Sequence, residues 1–256
     1  GIAVAGHDHL GHGKSLPEGG TPVYFGQGST WNTVVDDIYI LHQRLKQRYP
    51  DVPLCIMGHS MGSFLTRTYL IRYPGTVKAA VIMGTGWQPR AAITGGLALA
   101  NAIAAVSGEN ATSELVTELA FGSYNKLFAP NRTKVDWLSA DESNVDDYIA
   151  DPLCGADATV GLFRQMLHGI RFNQRQSHLR QMDREMPVLF VAGDKDPVGN
   201  CGKGVRQTYD AFRAAGMRDC TLKLYPGLRH EILNEKAYTA DITKNIEAWL
   251  LSRLEK

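Results

Sequence analysis

Apolar and polar positions along the chain follow two patterns, one typical of amphipathic helices and one of buried strands. In residues 33–49 the apolar side chains recur at intervals of three and four, and Pro50 ends the segment, which predicts a helix. Short runs rich in apolar residues predict strands; they are residues 1–6, 54–57, 77–84, 187–193 and 221–225, and the run at 77–84 is apolar on both faces, as in a strand buried between helix layers. Helical patterns alternate with these runs, so we predict a mostly parallel sheet flanked by helices.

This alternation is interrupted between residues 87 and 185, where several helical patterns occur without a strand-like run. We therefore predict a core made of residues 1–86 and 186–256, with residues 87–185 inserted as a helical cap. The apolar segment 91–106 contains a break at Gly95 and Gly96, which favours a mobile cap helix that receives an acyl chain. A rigid lid packed on the sheet is the alternative.

The sequence "GHSMGS", residues 58–63, lies where a predicted strand ends and a helix begins. A Gly-x-Ser-x-Gly pattern in this context predicts a nucleophile elbow, with Ser60 in a strained turn and the amide of Met61 facing a developing oxyanion. We expect that a side chain at Gly58 or Gly62 would crowd the turn. The alternative is a strand-to-helix turn that merely uses small residues.

A serine hydroxyl needs a base, and the base needs a carboxylate that holds its tautomer. The sequence "VAGDKDPVG" offers Asp194 and Asp196 after one predicted strand, and "YPGLRHEIL" offers His230 after the last one. Loops that follow parallel strands open at the same edge of a sheet, so we expect these side chains to converge on Ser60. Either aspartate could be the acid on this argument.

Four segments, "HDHLGHGKS", "GHSMGS", "GDKDPV" and "YPGLRHEI", together resemble the monoacylglycerol lipase and lysophospholipase branch of the α/β-hydrolase superfamily. The resemblance extends in order over essentially the whole chain. It implies the α/β-hydrolase fold with a helical cap, and it implies that the loop at residues 8–15, with His12, shapes the floor of the site.

The resemblance also assigns roles to individual residues. It implies that Ser60 is the nucleophile, that His230 is the base and that Met61 lends a backbone amide to the oxyanion hole. By the spacing in that branch, the acid is Asp196 and not Asp194.

One part of the family pattern is missing from this sequence. In that branch the second oxyanion donor comes from a His-Gly loop that precedes the strand matched by residues 1–6, and this sequence does not include it. The flanking strands of the sheet are missing as well, so we expect an exposed sheet edge. We interpret the sequence as part of a longer protein.

Composition narrows the function classes. The net charge of +1 over 256 residues gives no reason to expect a nucleic-acid partner. The four cysteines lie far apart, which argues against a zinc site and a disulfide framework and predicts a cytoplasmic location. His7, His9 and His12 fall in a Gly-rich turn, where a structural role is commoner than metal binding. We expect no leader peptide and no membrane span, because the most apolar segment is short and interrupted.

These observations predict a serine hydrolase that cleaves carboxylic esters with a hydrophobic acyl group, such as a monoacylglycerol or a lysophospholipid. We expect no metal and no organic cofactor, a small-molecule ester or lipid as the substrate, and transient contact of the cap with a membrane surface. The sequence makes no prediction about oligomeric state. Two alternatives remain: a peptidase or amidase of the same fold, which would need an acidic pocket for a free amine, and a catalytically silent binding protein.

Overall fold

A single parallel sheet forms the centre of the computed structural model, which describes residues 1–254. Its four strands lie in the order in which they follow along the chain: β1 (Ile56–His59), β2 (Ala80–Met83), β3 (Val188–Gly193) and β4 (Cys220–Tyr225). Every residue of β2 and β3 is buried, as expected of central strands covered on both faces. Residues 255 and 256, the end of the predicted second part of the core, lie outside the described residues.

Helices cover both faces of this sheet. They are α1 (Trp31–Arg48), α2 (Met61–Arg72), α3 (Arg90–Ser107), α4 (Glu114–Lys126), α5 (Glu142–Ala150), α6 (Val160–Asn173), α7 (Gln176–Leu179), α8 (Lys203–Ala214) and α9 (Thr239–Leu254). Successive residues of β2 point to opposite faces. Ile82 joins an apolar cluster that includes residues of α1, α2, α6 and α8, whereas Val81 joins a second cluster with α9.

Residues 87–185 hold helices α3 to α7, and within the described residues this stretch contains no strand, only an isolated bridge between Thr112 and Thr159. By length and composition alone α3 could cross a membrane, with a mean hydropathy of 1.3 over 18 residues. In the fold, however, α3 packs along α6, and a Cβ at Gly96 would lie 2.9 Å from a methyl carbon of Leu167. Leu97 is buried in the main apolar cluster, which supports the rigid-lid alternative for this face of α3.

The predicted strand at residues 1–6 is wrong, because residues 1–9 belong to no helix or strand. A strand is stabilised by hydrogen bonds to a neighbouring strand, and none of the backbone bonds found in residues 1–254 joins this segment to the sheet. Ala5 and His9 instead line a groove of about 240 Å³ together with Ile56 and Met57 of β1. β1 is thus an edge strand of the described sheet.

Candidate active site

Ser60 lies between β1 and α2 in a backbone conformation that side chains rarely adopt, with φ 54° and ψ −122°. Two contacts hold this turn. The amide of Ser60 donates to the carbonyl oxygen of Met83 at 3.1 Å, and the Ser63 hydroxyl donates to the carbonyl oxygen of Ser60 at 2.6 Å. A strained residue that its surroundings hold in place is typical of a functional site.

The two glycines of the motif differ in what they allow. A Cβ at Gly58 would lie 2.2 Å from the carbonyl oxygen of Gly62, so a side chain there is excluded. At Gly62 a Cβ would meet nothing within 4 Å, and the predicted crowding is wrong at this position. The reason is that Gly62 approaches the turn with its carbonyl group, while its Cβ direction faces open space.

Met61 is the first residue of α2. The amides of the first helical turn have no acceptor within the helix, and they lie at the positive end of the helix dipole. Met61 directly follows Ser60 in the sequence, so its amide lies next to the nucleophile's backbone. It is therefore available to a negative charge that develops beside Ser60.

His230 and Asp196 form a buried pair. The Nδ1 atom of His230 lies 3.0 Å from each carboxylate oxygen of Asp196, and the exposed fractions are 3% for His230 and 0% for Asp196. The amide of Val198 donates to the Asp196 carboxylate at 2.9 Å and fixes its orientation. Asp194 lies elsewhere in the same loop, where its carboxylate accepts a bond from the amide of Gly227 at 2.8 Å.

His59, the residue before Ser60, contacts His230. No hydrogen bond between the Ser60 hydroxyl and His230 is present in the described residues. The rings of His59 and His230 lie 4.5 Å apart, and the Nε2–H of His59 donates to the carbonyl oxygen of His230 at 3.1 Å. A Cβ at Gly84, which has a φ of 58°, would lie 3.0 Å from both rings. Hydrogen bonds between nucleophile and base commonly tighten only when substrate binds.

His59 was not predicted as a site residue. Burial, and then the electrostatic effect of the neighbouring His230, lower the pKa of His59 to about 4. Its imidazole is therefore neutral near pH 7, so one ring nitrogen carries the proton that reaches the His230 carbonyl. Its position next to the nucleophile in the sequence was the only available signal.

An aromatic wall, defined as Phe121, Tyr124, Trp137 and Phe163, extends from His230 into the cap. The ring of Trp137 lies 5.2 Å from that of His230, and the ring of Tyr124 lies 5.3 Å from that of Trp137. Burial and the charge of Asp196 raise the pKa of Tyr124 to about 12, so its hydroxyl stays neutral. Sequence reasoning missed this wall, although Trp137 stands out in the polar stretch "APNRTKVDW".

The loop at residues 8–15 is held by its own hydrogen bonds. The Asp8 carboxylate accepts from the amide of Lys14 at 2.8 Å, and the Ser15 hydroxyl donates to the Asp8 carbonyl at 2.8 Å. The Nδ1–H of His12 donates to the carbonyl of Leu10 at 2.9 Å. None of these contacts reaches Ser60 or His230. Across residues 1–254, no group of three His, Cys, Asp or Glu side chains is arranged to hold a metal ion.

Comparison with known proteins identifies the family of the chain. Residues 1–237 match a hydrolase family that is described as serine aminopeptidase, S33. The chain belongs to this α/β-hydrolase family. It is 31% identical to a monoacylglycerol lipase of Mycolicibacterium smegmatis, over 99% of this chain and 80% of the relative. It is 28% identical to the monoglyceride lipase of Mus musculus, over 99% of this chain and 74% of the relative.

A solved structure extends the agreement to the fold. A thermostable carboxyl esterase from Bacillus coagulans, in complex with glycerol, superposes with a TM-score of 0.88 at 25% identity, over 96% of this chain and 79% of that chain. The predicted α/β-hydrolase fold and the predicted monoacylglycerol lipase-like branch are confirmed. The protein is a carboxylic ester hydrolase.

Proposed function

We propose that the protein hydrolyses esters with a hydrophobic acyl group, of the monoacylglycerol or lysophospholipid type, through a covalent acyl-enzyme on Ser60. The observation that carries the proposal is the strained turn at Ser60 beside the buried pair of His230 and Asp196. Two relatives named as monoacylglycerol and monoglyceride lipases, and a similar esterase solved with glycerol, support this substrate class.

In the first half of the proposed reaction, the Ser60 hydroxyl attacks the ester carbonyl carbon while His230 accepts its proton at Nε2. Asp196 accepts the bond from Nδ1–H of His230, which fixes the tautomer and stabilises the imidazolium that forms. The Met61 amide donates to the oxyanion of the tetrahedral intermediate. When the intermediate collapses, the alcohol leaves with the proton from His230, and the acyl group stays on Ser60.

In the second half, a water molecule takes the place of the alcohol. His230 removes a proton from this water as it attacks the acyl carbon, and the Met61 amide again receives the oxyanion. The second collapse releases the carboxylic acid and returns the proton to the Ser60 oxygen. Both halves use the same three side chains, so the loss of any one slows both steps.

The aromatic wall supports an apolar substrate over a free amine. An aminopeptidase substrate brings a positively charged amine, which a buried site binds well only beside an unpaired carboxylate. In the described residues, the only carboxylate hydrogen-bonded to His230 is that of Asp196, which the imidazole already occupies, and the ring that approaches His230 from the cap is the apolar face of Trp137. We therefore favour the ester over the amide alternative.

We also propose that the cap touches a lipid surface when it takes up substrate. Several large apolar side chains of the cap are exposed to solvent, and Val106 is the most exposed at 88%; the others are Leu115, Leu119, Leu127, Ile149 and Leu153. Exposed apolar side chains on helices are the groups that bind a membrane interface. All four cysteines are free, which supports the cytoplasmic location that we propose.

The proposal is tested with the purified protein, its Ser60→Ala variant and a matched Ser252→Ala variant. Ser252 is exposed on α9, where its hydroxyl bonds only to nearby groups of the same helix. A fluorophosphonate probe, which labels activated serines, should label the wild type and Ser252→Ala but not Ser60→Ala. Hydrolysis of a p-nitrophenyl ester should fall in Ser60→Ala by a factor on the order of 10⁶.

The same proteins decide between the alternatives. An ester panel from acetate to palmitate, measured beside amino-acid p-nitroanilides, separates an esterase from an aminopeptidase. Faster cleavage of the anilides would overturn the proposed substrate class. An unlabelled wild type that hydrolyses neither series would favour a silent binding protein.

A further inference from the structure

The histidine loop, defined as residues 229–236, is joined to one segment of the cap by polar contacts. That segment, residues 136–144, is called here the cap segment, and it carries Trp137 of the aromatic wall. The amide of Glu231 donates to the carbonyl of Leu138 at 2.8 Å. The Nη1 of Arg229 donates to the carbonyls of Asp136 and Ser139, the latter at 2.9 Å.

Glu235 makes the most buried of these contacts. Its side chain is 3% exposed, and its two carboxylate oxygens accept from the amide of Ala140 at 2.8 Å and from the amide of Asp141 at 3.1 Å. A carboxylate that receives two backbone N–H groups in a buried place is held in one orientation. Removal of this carboxylate would leave the amide of Ala140 without its acceptor, and would leave the amide of Asp141 with only the hydroxyl of Ser139, at 3.0 Å.

The geometry points to a consequence for the base. Trp137 lies one residue after the start of the cap segment, and its ring is 5.2 Å from the ring of His230. His230 itself lies inside the histidine loop. The two segments are about 95 residues apart along the chain, so their relative position depends on the contacts between them.

We propose that Glu235 is a positioning residue, which ties the cap segment to the histidine loop so that Trp137 and His230 keep one geometry during catalysis. This inference rests on the proposed function of His230 as the base. Substrate that enters under the cap then meets the aromatic wall and the base as a single unit. The contact between Glu235 and the amides of Ala140 and Asp141 is called here the clamp. Displacement of a base by about 1 Å can reduce turnover by about 10²-fold, so loss of the clamp should slow the chemical step.

The first experiment compares Glu235→Ala, Glu235→Gln and a matched Glu118→Gln, which makes the same chemical change in an exposed ion pair of the cap. Measured well below the melting temperature, kcat/KM for a short ester should fall about 10²-fold in Glu235→Ala, mainly through kcat. Glu235→Gln keeps one acceptor oxygen and should recover most of this loss. Glu118→Gln should match the wild type.

The second experiment is a double-mutant cycle with Trp137→Ala. If Glu235 acts by holding Trp137 against His230, the Glu235→Ala loss in kcat/KM should shrink several-fold in the Trp137→Ala background, because the two changes remove the same arrangement. Losses that multiply would overturn the proposal. So would a Glu235→Ala protein that melts at a lower temperature yet keeps wild-type kcat/KM.

Hydrogen exchange of the backbone separates this inference from the proposed function. In Glu235→Ala, amide exchange should rise together in residues 136–144 and 229–236, while the sheet strands stay protected. This readout needs no catalytic activity, so it still tests the clamp if the fluorophosphonate fails to label Ser60. Faster exchange in the cap segment alone would show that Glu235 does not hold the histidine loop, and would overturn the proposal.

Discussion

The sheet and the part of the cap formed by α4 and α5 are held in place by different forces. Every residue of β2 and β3 is buried, and their apolar side chains pack on both faces. Helix α4, in contrast, buries only Val116, and α5 buries only Asn144 and Val145. The cap segment and α5 therefore depend on polar contacts to the histidine loop more than on an apolar core, and α4 contacts the cap segment through Phe121 and Tyr124 of the aromatic wall.

This difference separates two tasks. The acid follows the buried strand β3, and the nucleophile follows β1, which pairs with the buried strand β2, because catalytic geometry tolerates little movement. The α4–α5 part of the cap has few buried apolar contacts, which is typical of elements that move or open locally. Changes in the sheet loops should consequently affect all substrates alike, and changes in the cap should depend on the substrate or on the surface that presents it.

The largest effect is expected from the acid in the sheet loops. Asp196→Asn should lower kcat/KM for a short ester about 10⁴-fold, because the amide can no longer hold the required tautomer of His230. Asp194→Asn is the matched change two residues away, and it should cost less than about tenfold, since Asp194 only accepts a bond from the amide of Gly227. A greater loss for Asp194→Asn would reverse the assignment.

The sequence predicted the parts of this comparison that depend on local pattern. Strands β1 to β4 follow from short runs rich in apolar residues, and the turn at Ser60 follows from the Gly-x-Ser-x-Gly pattern. Asp196 was separated from Asp194 only by the resemblance to a family, because both lie in the same loop. The structure adds a physical distinction, since only Asp196 faces His230.

The features that the sequence could not predict depend on partners that are distant along the chain. Residues 1–6 have the composition of a strand, but within the described residues they form no backbone hydrogen bond to the edge strand β1. Glu235 resembles any charged residue of a loop until its bonds to the amides of Ala140 and Asp141 are seen. Trp137 gains its place at the site only because residues 136–144 fold back onto the histidine loop.

A second prediction concerns the buried face of α3, which packs against the main apolar cluster. Leu97 of α3 is buried in the main apolar cluster, so Leu97→Ala should lower the free energy of unfolding by about 2–5 kcal/mol. The ratio of kcat/KM for a ten-carbon ester to that for acetate should stay unchanged. Leu115→Ala, on the exposed face of α4, should change the stability by less than about 0.5 kcal/mol. Denaturant unfolding and the ester ratio measure both effects, and a changed ratio in stable Leu97→Ala would make α3 part of the acyl site.

The third prediction concerns the pH dependence of stability that comes from His59, the last residue of β1. The pKa of His59 is about 4 in the folded protein and about 6.5 when unfolded, so between these values the unfolded chain binds more protons. Stability should therefore fall as the pH drops from about 6.5 to 4, by about 3 kcal/mol from this group. A plot of melting temperature against pH over this range should be flatter for His59→Gln than for the wild type. His7 is exposed, so His7→Gln should keep the wild-type slope. Equal slopes in all three proteins would contradict the lowered pKa of His59.

The smallest effect is expected at the outer surface of the cap. Leu119 on α4 is 67% exposed, and Leu127 directly follows that helix. If these side chains enter a lipid interface, each should contribute on the order of 1 kcal/mol, so Leu119→Ser should weaken binding to phosphatidylcholine vesicles about fivefold. Leu251→Ser is the control, because Leu251 is also exposed but lies on α9, outside the cap. Cosedimentation with vesicles measures binding, and hydrolysis of a soluble acetate ester should stay constant in both variants. Equal loss of vesicle binding in Leu119→Ser and Leu251→Ser would show that contact is unspecific, and would remove the surface role from the cap.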